Sequence, residues 1–448
     1  MRDAEIIVVG AGLSGLVAAT RLHEAGRRVA VVEARDRVGG RTFSPVVDGQ
    51  AFDLGGQWIG AGQHRLARLA EALGCATFET WHAGDKVMEL AGRRRTYGGD
   101  IPKLSPMALV ELHRQLGALD RMMRLAPVDA LGGPSALDAM SVDDYRRRHV
   151  RSDAVRRVLD VAVRVVFGAE PGELSMQYFL TYLRAGDGLL NLTGVASAAQ
   201  ERRFVDGAQA LSQRLAARLG AAVRLGAPVR VIEQGEAGVV VQTDAGAVRG
   251  ARVIVAIPPA LAGRIDYQPG LPPLRDALTQ RFAMGATTKA LVFYARPFWR
   301  EQGLSGEAIS DGDPVGVVFD NSGPDGAPWC LVAFIVGHAA RVWDARPPES
   351  RRAAVLAHLA RLFGEPAARP VRYVEQVWSA EPWTRGCPTG GLPAGGMVPY
   401  AAALRRPCGR IHWAGTETAR SYCGYLEGAI EAGERAASEA LDALAVGR

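Results

Sequence analysis

The chain has 448 residues, 48% hydrophobic and 22% charged, with a formal net charge of +6, which is enough for two domains around a substantial core. Its basic residues form no run with interleaved aromatics, so nucleic-acid binding is not expected. No apolar run approaches the roughly 18 residues that cross a bilayer, and five cysteines without a CxxC pair and eight histidines without HExxH spacing suggest neither a disulfide framework nor a metal site.

Ile6 to Val9 form a short apolar run of the kind shown by a strand buried on both faces. A turn carrying Gly10, Gly12 and Gly15 follows, then the helical pattern LVAATRLHEAG, stopped by Gly26. A second apolar run, Val29 to Val32, delivers Glu33. This is a dinucleotide-binding β-turn-α-turn-β unit. Gly10 permits the tight turn, Gly12 lets the backbone approach a pyrophosphate, and Gly15 lets the helix pack closely on the strand. The helix N-terminus presents free N–H groups to the anion, and Glu33 is placed to accept from ribose hydroxyls. Directly afterwards, ARDRVGGRT sets Arg35, Arg37 and Arg41 around Gly39-Gly40, and FDLGGQWIG supplies a second pair, Gly55-Gly56. Two further close backbone approaches suit an extended flavin dinucleotide, FAD, rather than a nicotinamide cofactor.

Arg65 to Leu73 reads as an amphipathic helix ended by Gly74, and residues 75–200 read as mostly helical. Periodic segments begin at Pro106 and Asp143, and Pro127, Gly132-Gly133 and Pro134 punctuate them. The stretch from Leu174 to Gly194 reads as loop-rich; helical spacing within it would bring Tyr178 and Tyr182 to one face. From Val229 to Val255 the pattern is short strands with turns at Gly235, Gly238 and Gly246, and Pro258-Pro259 mark the exit. Strands are expected at KALVFY and CLVAFIVG, then a helix over ESRRAAVLAHLARLFG. Ile411 to Ala414 form a last buried strand before a Gly-rich turn and a long helix from Leu426. The lysines are only Lys86, Lys103 and Lys289. In ATTKALVFY both faces of the strand are apolar, and lysine is rarely buried there without a partner or a function.

Several of these stretches carry a resemblance. EARDRVGGRT, the triplet Gln200-Glu201-Arg202, and AGTETA followed by GYLEGAIEAGERA resemble the signatures of the flavin-containing monoamine oxidase family, in a soluble bacterial-type form, and the likeness spans the chain. The resemblance implies an α/β fold. A Rossmann-like FAD domain would be assembled from 1–74, 203–280 and 381–448, and an α+β substrate domain from the insertions 75–202 and 281–380. It implies oxidative deamination of a primary monoamine by FAD and O2, with release of hydrogen peroxide. FAD would be held by Gly10, Gly12, Ser14, Gly15, Glu33, Ala34, Arg35, Gly40, Arg41, Gly55, Gly56, Gln57, Trp58, Val229, Trp378, Gly415, Thr416, Glu417, Tyr425 and Leu426. Cys387 stands where the mitochondrial members carry a thioether to the flavin; a covalent bond and a free thiol both stay open.

The family flanks the approach to the flavin with two aromatic rings. Tyr425 stands at one position, and Pro388 replaces the other. The implied catalytic residues are Lys289, held through a water to the flavin, with Tyr425 and Gln200. The implied cavity wall is Phe167, Tyr178, Phe179, Tyr182 and Gln200. Within 178–190 Asp187 is the only acid, so aryl-alkyl or aliphatic monoamines are expected over polyamines. An L-amino-acid oxidase, a polyamine oxidase and a flavin-binding protein without turnover remain alternatives. The first strand starts too near Met1 for a signal peptide, and the C-terminal membrane anchor of the mitochondrial members is not seen. A cytoplasmic enzyme is expected, with the oligomeric state, a homodimer included, left open.

Overall fold

The computed structural model describes residues 3–125, 135–343 and 345–446; the breaks expected at Pro127, Gly132-Gly133 and Pro134 lie outside them. The first unit forms as its sequence dictates. Strand Ile6–Val9, helix Leu13–Glu24 and strand Val29–Val32 succeed one another, and both strands pair in parallel. They sit inside a five-stranded parallel sheet in the order 223–224, 29–32, 6–9, 252–255 and 411–413. Alternation along Ile6–Val9 explains why every residue is apolar. Ile6 and Val8 pack with helices 13–24, 209–219 and 426–446 on one face. Ile7 and Val9 pack on the other, against the four-stranded sheet formed by 229–235, 238–243, 246–250 and 266–268.

A seven-stranded mixed sheet is the second frame, in the order 372–377, 287–294, 329–336, 317–320, 304–310, 85–90 and 93–97. All eight residues of Thr287–Tyr294 are buried. One face packs Ala290, Val292 and Ala333 against helix Pro348–Phe363, and the other presents Leu291, Phe293 and Val317 to Phe52 and Leu54.

Three local expectations are revised. The region 75–200 is not wholly helical, because Asp85–Leu90 and Arg93–Tyr97 form a hairpin on the edge of the seven-stranded sheet. Its two-residue turn, Ala91-Gly92, has positive φ at both positions (49° and 71°). An alanine there gives none of the Asn-Gly or Asp-Gly signal by which such turns are read. The periodic segment after Asp143 is two helices, Val142–His149 and Asp153–Phe167, since Val150 is extended and Ser152 caps the second by accepting from Val155 N–H. The loop-rich stretch holds a helix, Met176–Ala185, capped by Ser175.

Candidate active site

A cavity of about 980 Å³ runs from the glycine turn of the parallel sheet, past Lys289, to the hairpin edge of the seven-stranded sheet. At its first end the backbone is shaped for a close-lying ligand. Gly10 has φ +98°, and a Cβ there would meet the Ile257 side chain at 2.8 Å. A Cβ on Gly15 would strike the Gly10 carbonyl, so this glycine packs the helix onto the turn. Gly12 differs: only the Gly40 Cα lies near, at 3.9 Å, and Gly56 has nothing within 4 Å. Both are open on the cavity side and line it.

Around this end Glu33 accepts from Ala11 N–H at 2.7 Å and from Arg35 N–H at 3.0 Å. Arg35 also pairs with Glu381 and bonds Thr384. Ser14 Oγ donates to the Ala414 carbonyl, tying the first helix to the last strand. Arg41 donates to Glu417 through two nitrogens, at 2.6 and 3.2 Å, and to the Pro388 carbonyl at 2.9 Å. Glu417 thus anchors Arg41 rather than forming cavity wall. Gly415, Thr416 and Leu426 do line the cavity, beside the start of helix Leu426–Val446. Thr416 Oγ donates to the Tyr425 carbonyl at 2.9 Å and fixes that turn. Of the other expected cofactor residues, Gly10, Gly40, Gly55, Gln57, Trp58, Trp378 and Cys387 line the cavity. Ala34 and Val229 do not; Val229 opens strand 229–235, opposite Thr243. Trp378 is oriented by donating from Nε1 to the Leu54 carbonyl at 2.9 Å.

Lys289 lies midway. It is 2% exposed. Its Nζ donates to the Gly55 carbonyl at 2.9 Å and to Gln57 Oε1, with the rings of Trp58 and Phe334 5.7 and 5.5 Å away. Burial lowers its pKa to about 7, despite the opposing charge of Asp53. A neutral amine satisfies both oxygens with its two N–H bonds and leaves a lone pair; an ammonium adds a third donor.

Tyr425 and Pro388 both line the cavity, and the Tyr425 ring packs at 6.5 Å from Tyr182. Gln200 also lines it: Nε2 donates to the Leu192 carbonyl at 3.0 Å, while Oε1 is buried without a partner among the described residues. Tyr182 reaches the cavity, but Phe167, Tyr178 and Phe179 do not. These three form the packed layer behind it, with Tyr178 Oη donating to the Gly390 carbonyl. Asp187 accepts from Tyr422 Oη and is likewise outside the cavity. The walls that sequence reasoning missed come from Trp383, from Ile309, Val317, Phe319 and Phe334 on the sheet, and from Lys86, Tyr97, Asp100 and Glu307 at the far end. None belongs to a motif; alternation could have marked only those on strands, which leaves out Trp383 and Asp100.

Among the described residues no group of His, Cys, Asp and Glu is arranged to hold a metal, and no helix is long and apolar enough to cross a membrane. Open glycines at Gly12 and Gly56 and the acidic residue at the end of the second strand fit an extended FAD lying along the cavity. Fold and site define a flavin-dependent oxidoreductase. Residues 13–441 match the model of the flavin containing amine oxidoreductases, and the chain belongs to that family.

Among its relatives, the probable flavin-containing monoamine oxidase A of Dictyostelium discoideum is 38% identical over 98% of each chain. Cyclohexylamine oxidase from Brevibacterium oxydans superimposes with a TM-score of 0.94 at 34% identity, over 99% of both chains. Putrescine oxidase bound to putrescine also gives 0.94, at 33% identity over 98% of this chain and 99% of that one. The enzyme is an FAD-dependent amine oxidase that carries out oxidative deamination of amines.

Proposed function

We propose that the substrates are primary amines with an apolar aryl-alkyl or aliphatic body, oxidised at the carbon bearing nitrogen. FAD held along the cavity would supply the two-electron acceptor for that carbon, with O2 as the final oxidant. The observation that carries the substrate reading is the apolar row that runs across the sheet from Lys289: Trp58, Phe334, Val317, Phe319 and Ile309 hold no carboxylate. A short dication would be desolvated there without compensation.

Tyr425 and Pro388 flank the approach, and positioning between them does most of the work. Gln200 Oε1 accepts from the substrate amine, and Lys289 assists the reaction with oxygen. The proposed cofactor unit is 1–74, 203–280 and 381–448, with 75–202 and 281–380 forming the substrate unit, supported by the two separate sheet cores. A cytoplasmic setting fits five free cysteines. An oxygen-electrode panel of benzylamine, alkylamines, putrescine, spermidine and L-amino acids tests the reading. A much higher kcat/KM for putrescine, spermidine or an amino acid would overturn it.

A further inference from the structure

The far end of the cavity is chemically unlike the rest. Glu307 is part of its wall, together with Lys86, Tyr97 and Asp100. The Glu307 residue is 8% exposed. One carboxylate oxygen, Oε2, lies 3.0 Å from Lys86 Nζ, which also pairs with Asp100 at 2.8 Å. The other, Oε1, is buried and has no hydrogen-bond partner among the described residues. Two carboxylates therefore share one ammonium, and the buried carboxylate keeps an acceptor that the protein leaves unused. Leaving such a group unmatched costs about 1–3 kcal/mol, more when it is charged.

The backbone has a local irregularity there. Strand Leu304–Ser310 pairs in parallel with Asp85–Leu90, but its register slips between Leu304 and Ala308, so that four residues of one strand run against two of the other. Gly306 takes up the irregularity at φ +85°, where a Cβ would lie 2.9 Å from that of Asp320. Bulges of this kind re-aim a side chain, and here the bulge brings Glu307 to Lys86. Cross-strand register fixes the separation from the reacting end. Lys289 is opposite Phe334, Phe334 opposite Val317, and Val317 opposite Ile309, two residues beyond Glu307. Three strand spacings and the two-residue offset put the two backbone positions roughly 16 Å apart, with an apolar row between them.

We propose that Glu307 is a specificity-determining residue whose free carboxylate oxygen binds a second ammonium at the distal end of a long linear amine. The inference rests on the proposed amine-oxidase cavity and extends it. Short diamines cannot reach Glu307 from the flavin end and stay poor, whereas a chain that spans the row places its second charge against the unused acceptor.

The test compares two homologous series on the holoenzyme, n-alkylamines and α,ω-diamines of equal length, from four carbons to twelve. The ratio of kcat/KM, diamine over monoamine, is expected to rise at least tenfold from the shortest chain to those long enough to reach. Glu307→Gln abolishes that rise, and Glu307→Asp restores it with the optimum moved to a longer chain. A ratio that stays flat with length in the wild type overturns the proposal. So does a Glu307→Gln variant in which both series fall in parallel, the signature of a merely structural partner for Lys86. Oxidation of no amine in either series would instead overturn the proposed function, and this inference with it.

Discussion

Arg41 and Glu417, 376 residues apart, are joined by two hydrogen bonds at 2.6 and 3.2 Å. The Glu417 side chain is fully buried, so this forked pair closes the chain's two ends around the cofactor cavity. The same guanidinium holds the Pro388 carbonyl at 2.9 Å, which ties the segment carrying Cys387 to that closure. Removing one partner of such a pair leaves the other charge buried and uncompensated, at a cost of about 3–5 kcal/mol.

Glu417→Gln is therefore expected to lower stability by about 3 kcal/mol and to release FAD during purification. Arg41→Lys should do much the same, because an ammonium cannot reproduce the fork. Thermal denaturation and the ratio of flavin to protein absorbance report both effects. A melting temperature and flavin content equal to wild type would show the pair to be dispensable.

Lys289→Met is expected to keep FAD bound but slow flavin reoxidation roughly a hundredfold, the usual scale for one positioned group. An ammonium favours the negative charge that develops as oxygen is reduced. With the pKa lowered to about 7 by burial, the charged form exists below that pH and is lost above it. The wild-type reoxidation rate should fall as pH rises through about 7, and the variant should show no such inflection. Rapid mixing of reduced protein with oxygen across this range measures both; a variant rate within twofold of wild type would leave Lys289 a purely structural residue.

Cys387 lines the cavity, and burial pushes its thiol up to about 11, only partly offset by Arg41 and Lys289. At neutral pH the nucleophilic thiolate is scarce, so the flavin is expected to be non-covalent. Acid precipitation should leave a yellow supernatant and a colourless pellet, with Cys387→Ala retaining the same flavin content. A yellow pellet that becomes colourless in the Cys387→Ala variant would establish a covalent bond instead.

Away from the cavity, His358 is fully buried between two elements. Its Nδ1 accepts from Val315 N–H at 3.1 Å, so the proton sits on Nε2, which donates to Glu89 at 2.8 Å. Burial and the nearby Arg361 lower the imidazole pKa against the opposing pull of Glu89 and Asp313. The unfolded chain then binds the proton more readily than the folded one, so stability is full above the ordinary pKa of 6.5 and is lost as pH falls below it. Glu89, whose own pKa is lowered by Ser310 and His358 despite burial, adds a loss in the same direction at lower pH. Melting temperature should drop between pH 7.5 and 5.5. His358→Gln should flatten that dependence while costing about 1 kcal/mol at pH 7.5. An unchanged pH profile in the variant would rule His358 out as its source.

What the sequence determined by itself is what short-range rules encode. Strand, glycine turn, helix and Glu33 are contiguous, and their backbone constraints, a positive φ at Gly10 and a close approach at Gly15, are visible in residue type alone. Lys289 is legible for the same reason, since a lysine among apolar neighbours on both faces of a strand stands out against its own segment. Tertiary structure decided which of the remaining residues meet the ligand. Tyr178 and Tyr182 share a helical face, yet only Tyr182 reaches the cavity, because helix position relative to Gly390 and Phe282 is set by packing at long range. Glu307 carries no local mark either. Its place opposite Lys86 comes from a register slip between strands more than 200 residues apart, and periodicity within one strand holds no information about its partner.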